Sequence, residues 1–227
     1  MNVAAPLQAV KQTMQTRWPL YVLSMSLSNG AGALLVFLFV RYGLPVPQSS
    51  AVIADPRKST IVFAIVIGVG AIFSFGSSAV TLGPLVRWQL RGGPPTRREQ
   101  LAALQAPLRQ AIVHLVLWMI GGTVFAILTI NSTPGLATAV ILTIAMAAIV
   151  VFGFTYMLGE RILRPVAALA LSQGGFDRAF TPGVGTRMVM PWGLGTLAPA
   201  GGIVLLCASQ ISTNINFTAN SLATATL

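Results

Sequence analysis

The stretch Arg87–Arg109, RWQLRGGPPTRREQLAALQAPLR, separates two long apolar runs of the chain. It carries five arginines against a single acid, Glu99. Short segments rich in Lys and Arg stay on the cytoplasmic side of a bilayer. This stretch therefore sets the orientation of the apolar runs on either side of it, and the other segments can be counted outward from it.

The composition places the chain in a membrane. Hydrophobic residues make up 55% of it and charged residues 8%, whereas a soluble domain carries about 25% charged residues. The formal net charge is +10, from 14 basic and 4 acidic residues. Because the basic residues lie at the ends of apolar runs, they indicate topology determinants and headgroup contacts rather than a nucleic-acid surface. We expect membrane lipids as partners and no nucleic acid.

The apolar runs predict an all-α, polytopic membrane helical bundle, since each is long enough to cross a bilayer. Residues 1–18 form a cytoplasmic N-terminal segment, either a short amphipathic surface helix or a frayed end. Residues 19–211 form the transmembrane domain, and 212–227 an external loop. The five spans are predicted at 19–41, 60–86, 110–130, 136–158 and 188–211.

The distribution of basic residues predicts the orientation. With the N-terminus inside, eleven basic residues lie inside and three, Arg41, Arg57 and Lys58, lie outside. This bias predicts a multi-pass protein of the inner (plasma) membrane with a cytoplasmic N-terminus. Spans 2 and 4 leave the membrane through similar Leu-Gly segments, a weak repeat that predicts a sixth span after Leu227. We therefore expect the chain to be the membrane part of a longer protein.

Two rows of small residues, one in span 1 and one in span 2, predict close helix packing. A homodimer face is the alternative. The rows are Ser24, Ser28 and Gly32, and Gly70, Ser74 and Ser78.

The cytoplasmic segments hold the candidates for headgroup contacts and for coupling to a further domain. In the first segment, Thr96 and Glu99 predict a capping box that opens a helix over 97–109 after the break at Pro94–Pro95. In the second, Glu160 and Arg164 have the favourable i,i+4 order. The candidates are Arg87, Arg91, Arg97, Arg98, Arg109, Glu160, Arg161 and Arg164.

Catalytic, cofactor-binding and metal-binding patterns are not found in the sequence. None of the four acids falls inside a span. His114, about four residues into span 3, is the nearest candidate for an intramembrane ionisable group, but an interfacial or packed histidine is favoured. The single cysteine, Cys207, lies in an apolar run and is expected to behave as a small hydrophobe.

Three loop motifs suggest a family. They lie in 87–109, in 160–168 (ERILRPVAA) and in 186–196 (TRMVMPWGLGT), and they resemble the membrane region of the mycobacterial six-span adenylate cyclases. The resemblance covers about residues 20–211. It implies that six spans lead into a HAMP linker and a class III cyclase domain, which makes cyclic AMP from ATP as a dimer with Mg²⁺ or Mn²⁺. The sixth span, the linker and the cyclase domain are absent from this sequence.

The resemblance implies a transmembrane anchor and receptor domain that supports a homodimer and senses a fatty acid or another lipid. Two alternatives stay open. A small transporter or permease subunit would place a polar, discontinuous site at the bilayer midplane, and the Gly- and Pro-rich fifth span favours it. A structural membrane subunit would only pack against partners.

Overall fold

The computed structural model describes residues 4–43, 56–130 and 134–172, together with 185, 189, 192–196, 199–204 and 207. Within these ranges the ordered elements are helices. Helix α1 is Ala4–Leu38 and continues into a π-helical turn, Phe39–Gly43. The other long helices are α2 (Pro56–Arg91), α3 (Arg97–Ile130) and α4 (Pro134–Ser172).

Each of the four long helices contains a segment that is long and apolar enough to cross a membrane. The shortest of these segments, Arg17–Leu38, has 22 residues, and about 20 suffice to span a hydrocarbon core. The all-helical, multi-pass character expected from the sequence is therefore confirmed. The described residues contain four such helices, so the predicted count of five is not reached within them.

The predicted fifth span, 188–211, falls partly outside the described residues. Its described pieces, 192–196 and 199–204, are helical and lie against α4. A Cβ on Gly153 would lie 2.8 Å from Leu194 Cδ1, and one on Gly201 would lie 2.6 Å from Met146 Cε. Leu194 thus lies near Gly153, and Gly201, further along the chain, lies near the earlier residue Met146. The segment therefore runs antiparallel to α4. The external loop predicted at 212–227 lies outside the described residues.

The four helices form an up-and-down bundle. The most extensive packing is between α3 and α4, and α1 packs against both α4 and α2. The ends that carry Arg17, Arg91, Arg97 and Arg164 lie together, and we call this the basic end of the bundle and the opposite one the far end.

The link between α2 and α3 is a tight, capped turn. Gly92 and Gly93 have positive φ angles of 72° and 76°, which glycine adopts without a steric penalty. The backbone N–H of Thr96 donates to Glu99 Oε2 at 2.8 Å, and the N–H of Glu99 donates to Thr96 Oγ1 at 3.4 Å. The capping box predicted from the sequence is confirmed. Arg91 adds an ion pair to Glu99 at 2.6 Å.

Helix α3 differs from the prediction in one respect. The short helix predicted over 97–109 and the span predicted from Gln110 are one uninterrupted helix, with Pro107 inside it. Similarly, α1 is helical from Ala4 and passes Pro19 without ending. Both helices therefore project beyond the length that a bilayer needs.

The main apolar core lies at the basic end. It joins Tyr21 and Met25 of α1, Trp88 of α2, Ala106 of α3 and Leu163 of α4, all of them almost completely buried. A second, smaller cluster around Val140 and Ile144 lies at the far end. The bundle is thus closely packed where the arginines are and more open at the other end.

Candidate functional site

A group of polar side chains lies in the interior of the bundle, between the two apolar clusters. His114 is at its centre, and 1% of its surface is exposed. It is 17 residues after Arg97 and 16 before Ile130, so it lies at the middle of α3. The first 17 residues rise about 25 Å along the axis. His114 is therefore packed deep inside the bundle rather than at its interface.

The ring of His114 contacts three other helices. Nδ1 lies 2.9 Å from Asn29 Nδ2 on α1 and 3.4 Å from Thr155 Oγ1 on α4. Nε2 lies 2.9 Å from Ser74 Oγ on α2. One imidazole therefore joins all four helices at one level of the bundle.

The amide of Asn29 fixes the tautomer of this histidine. Its Nδ2 donates to the Met25 carbonyl at 2.9 Å, and its Oδ1 accepts from Trp118 Nε1–H at 3.0 Å. The amide nitrogen therefore faces His114 Nδ1, which must accept. A neutral imidazole then carries its proton on Nε2, and this N–H donates to Ser74 Oγ.

Gln110, one turn before His114, completes the group. Its Nε2 lies 3.0 Å from both His114 Nε2 and Ser77 Oγ, while its buried Oε1 has no partner among the described residues. The Ser77 hydroxyl itself donates to the Ser74 carbonyl at 3.0 Å, so its oxygen accepts from Gln110 Nε2.

A cavity of about 220 Å³ opens from this polar group toward the far end of the bundle. Asn29, Ser74 and His114 form its inner end. The remaining wall is apolar and aromatic apart from Ser26 and the indole of Trp118. Its apolar part includes Val36, Phe37, Val40, Phe63, Val66, Ile67, Leu117, Phe125, Val140 and Ile144.

Two glycine residues, which have no side chain, help to leave this space open. Gly30 on α1 and Gly70 on α2 both line the cavity, and a Cβ on either would meet nothing within 4 Å. Gly32, two residues along α1, is different, because a Cβ there would lie 2.6 Å from Val151 Cγ2 and 3.2 Å from Trp118 Cζ2. Gly32 thus permits close packing, whereas Gly30 and Gly70 leave the cavity open.

The predicted packing residues have different surroundings. Ser74 and Ser78 are buried, and Ser24 and Ser28 are half-buried. The hydroxyl of Ser78 has no partner among the described residues. Within the row predicted on α2, Gly70 lines the cavity and Ser74 meets the histidine, so the row borders a ligand-sized space as well as a neighbouring helix.

The predicted charged candidates lie away from the cavity, at the basic end. Arg91 pairs with Glu99, and Arg109 donates to Gln105 Oε1 at 2.9 Å. Glu160 is half-buried. The remaining members of the set are exposed: Arg87, Arg97, Arg98, Arg161 and Arg164.

Three members of the polar group were not singled out from the sequence: Asn29, Gln110 and Thr155. Asn29 could have been identified, because it is an amide side chain inside the apolar run of span 1. Such a group needs a hydrogen-bond partner in a bilayer. In the described residues no cluster of three or more His, Cys, Asp or Glu side chains is placed to hold a metal ion.

The chain is similar to several proteins of mycobacteria. It is 29% identical over 204 residues to the uncharacterized protein Rv1319c of Mycobacterium tuberculosis, covering 88% of this chain and 37% of that protein. It is 31% identical over 187 residues to the uncharacterized protein Rv1318c of the same organism, covering 81% of this chain and 34% of that protein. A third relative, the uncharacterized protein Mb1354c of Mycobacterium bovis, is 27% identical over 173 residues, 72% of this chain and 30% of that protein.

The chain thus spans about a third of the length of the curated relatives it matches. No family model and no solved structure matches it.

Proposed function

We propose that this chain is the membrane anchor and receptor domain of a longer signalling protein, an adenylate cyclase whose cytoplasmic domain makes cyclic AMP. In this proposal the bundle holds the protein in the inner membrane, supports a homodimer and responds to a fatty acid or another bilayer lipid. ATP and Mg²⁺ or Mn²⁺ belong to the cyclase domain.

The cavity is the observation that carries the receptor role. Anchoring needs one span, whereas this bundle has a cavity of about 220 Å³, mainly apolar, lined by all four of its long helices. Ligand sites are concave, mostly apolar and supplied with a few placed polar groups. The cavity with Asn29, Ser74 and His114 at its inner end has this composition.

Helix α4 connects the cavity to the basic end. Val140 and Ile144 of this helix line the cavity, and Ile162, Leu163 and Val166 of the same helix belong to the core near the arginines. The helix is uninterrupted between them. A ligand that displaces the far half of α4 would move its near half, at the basic end, where the cyclase domain is proposed to lie on the same side of the membrane.

The cyclase assignment is supported by the three loop motifs that resemble the mycobacterial six-span cyclases. The match to relatives about three times as long agrees with a membrane domain that belongs to a larger chain. Class III catalysis needs metal-bound carboxylates in a water-filled site, and the four acids of this chain are scattered along it. Catalysis is therefore assigned to the additional domain.

The exposed arginines at the basic end are proposed to contact acidic headgroups or the linker to the cyclase domain. Each basic residue near an anionic surface contributes about 1 kcal/mol. Replacing Arg97 and Arg98 together by Gln would leave the bundle folded but alter its orientation or its signalling. If topology and cyclic AMP output in the full-length protein are both unchanged, these residues serve only to keep the surface soluble.

The receptor role is tested by replacing the membrane bundle of the full-length protein with one inert transmembrane helix. Cyclic AMP formation is then compared between the two proteins with and without added fatty acids, and with and without an uncharged long-chain alcohol. We expect the lipid response to disappear with the bundle. Equal activity and an equal response in both proteins would leave only an anchor.

A small transporter or permease subunit is the second candidate, and the polar group around His114 favours it. Ionisable side chains inside a membrane domain mark transport pathways in many proteins. Transport sites are usually formed by helices that are broken near the bilayer midplane. In this bundle α1 to α4 are continuous at the level of His114. Substrate flux into proteoliposomes that contain the chain alone would establish the transporter and reject the receptor.

A further inference from the structure

The two parts of the cavity differ in chemistry, and together they describe a ligand. The inner end holds Asn29, Ser74 and His114, and from there the wall becomes apolar toward the far end of the bundle. A molecule that satisfies both parts has one polar head and one apolar body. This description applies to an amphiphile rather than to a hydrocarbon or a solute.

Hydrogen-bonding capacity remains at the inner end after all contacts within the protein are counted. Ser74 Oγ accepts from His114 Nε2–H, which leaves its own O–H free to donate. Asn29 Oδ1 accepts from Trp118 Nε1–H and keeps a second lone pair. The free donor at Ser74 suits a hydroxyl group, which can accept from it, whereas Asn29 lies by the other nitrogen of the His114 ring.

The charge of the wall excludes ionised heads. None of the described residues that line the cavity is Asp, Glu, Lys or Arg. Both nitrogens of His114 are engaged with side chains of the protein. A carboxylate, phosphate or ammonium at this depth would be buried without a counter-charge, which is strongly unfavourable.

The volume sets the size of the apolar body. An apolar cavity of about 150 Å³ accommodates benzene, which has six carbons. By the same ratio, 220 Å³ accommodates an alkyl segment of roughly nine carbons. A diacyl lipid is too large to enter whole, so a single chain fits best.

The cavity is open to the bilayer along one side. Ala71 of α2 both lines the cavity and is exposed, and Gly70 beside it presents no side chain. At the far end, the rings of Phe37 and Phe63 lie 4.4 Å apart between centroids and bring α1 and α2 together. A membrane-dissolved chain would therefore enter sideways past Ala71.

We propose that the cavity binds one uncharged single-chain amphiphile, with a hydroxyl head that accepts from Ser74 at the inner end and an alkyl chain along α1 and α2. This proposal rests on the receptor role proposed above and gives the ligand its chemical class.

The test uses a nine-carbon alkanol that carries a photoreactive diazirine on its chain. The 227-residue chain is placed in phosphatidylcholine nanodiscs and irradiated with the probe, and labelled residues are located by mass spectrometry. Labelling of the lipid-facing residue Val80 in the same digest is the internal reference for nonspecific contact. We expect labelling of cavity residues to fall about ten-fold on competition with 1-nonanol but less than about two-fold with nonanoate or nonyltrimethylammonium.

Two variants at glycines of α2 test the location. Gly70→Leu places a side chain in the cavity, whereas Gly68→Leu places the same side chain on an exposed surface, and neither Cβ meets an atom within 4 Å. We expect cavity labelling to be lost in Gly70→Leu and kept in Gly68→Leu. Equal labelling of the two variants would overturn the location.

A variant of the head site tests the hydroxyl contact. Ser74→Ala is expected to weaken competition by 1-nonanol about ten-fold, while labelling by a diazirine alkane without a hydroxyl stays unchanged. The alkane serves as the check that the cavity is still folded. Equal competition by the alkanol, the carboxylate and the ammonium compound in the unchanged protein would overturn the proposed ligand class.

Failure of this proposal and failure of the receptor role are distinguishable. The labelling experiment measures binding alone, and the cyclic AMP experiment measures the response of the full-length protein. Selective alkanol binding without any change in cyclic AMP output would support the site and reject the receptor role. A lipid response that survives Gly70→Leu would support the receptor role and reject this cavity as its site.

Discussion

Asn29 and His114 are 85 residues apart in the sequence and 2.9 Å apart in the bundle, where the amide of one donates to the ring of the other. The same amide accepts from Trp118. One residue of α1 therefore satisfies two ring nitrogens of α3, and its loss would leave both without this partner in the interior.

We expect Asn29→Leu to destabilise the bundle by about 1–2 kcal/mol, because buried donors and acceptors that lose a partner are costly, although less so in membranes than in model apolar solvents. Thermal unfolding in a mild detergent measures the change. Thr123→Val is the control, since this exposed hydroxyl bonds only to the Met119 carbonyl of its own helix. Equal stability of the two variants would contradict the role of Asn29.

Gly30 and Gly32 offer a matched pair on one helix. Alanine gains about 0.5–1 kcal/mol of helix propensity at either position. At Gly32 the new methyl group would meet Val151 and Trp118, so Gly32→Ala is expected to destabilise by about 1–3 kcal/mol. Gly30→Ala meets open space and is expected to be neutral or stabilising. Chemical denaturation compares them, and the prediction fails if Gly32→Ala is the more stable variant.

The turn between α2 and α3 is expected to depend on its cap more than on its ion pair. Thr96→Ala is expected to cost about 1 kcal/mol through loss of the N-cap, and Thr96→Ser to cost little. Glu99→Gln keeps a side-chain oxygen that accepts from the Thr96 N–H. It loses only the partly exposed ion pair with Arg91, which contributes about 0–1 kcal/mol. Unfolding at low and high salt separates these effects. A larger loss in Glu99→Gln than in Thr96→Ala would reverse the order.

The orientation of the bundle is tested by cysteine labelling in a Cys207→Ser background. Arg98→Cys, exposed at the basic end, is expected to react with an impermeant reagent only after the membrane is opened. Ser49→Cys, in the loop that the sequence predicts to be external, is expected to react in intact cells. The opposite pattern would invert the proposed topology.

The fold was largely predictable, because a bilayer demands long apolar helices and the basic stretch marks their ends. The cap at Thr96 and Glu99 was predictable because it is local. The depth of His114 was not, since counting span 3 from Gln110 ignored the helical residues before it. The partner of Asn29 could not be predicted from the sequence, because it lies on another helix. The cavity depends on Gly30 and Gly70, which line it from two different helices, and a row of small residues on one helix gives no information about such a pair.

The cavity beside His114 also makes the two ends of the bundle respond differently to hydrostatic pressure. Compression favours states that eliminate internal voids, and the effect scales with the void volume. The far half, which holds the cavity, is therefore the softer half, and the core around Trp88 and Leu163 is the stiffer one. Pressure would narrow the gap between α1 and α2 before it disturbs the packing near the arginines, and a bound chain would oppose that closure.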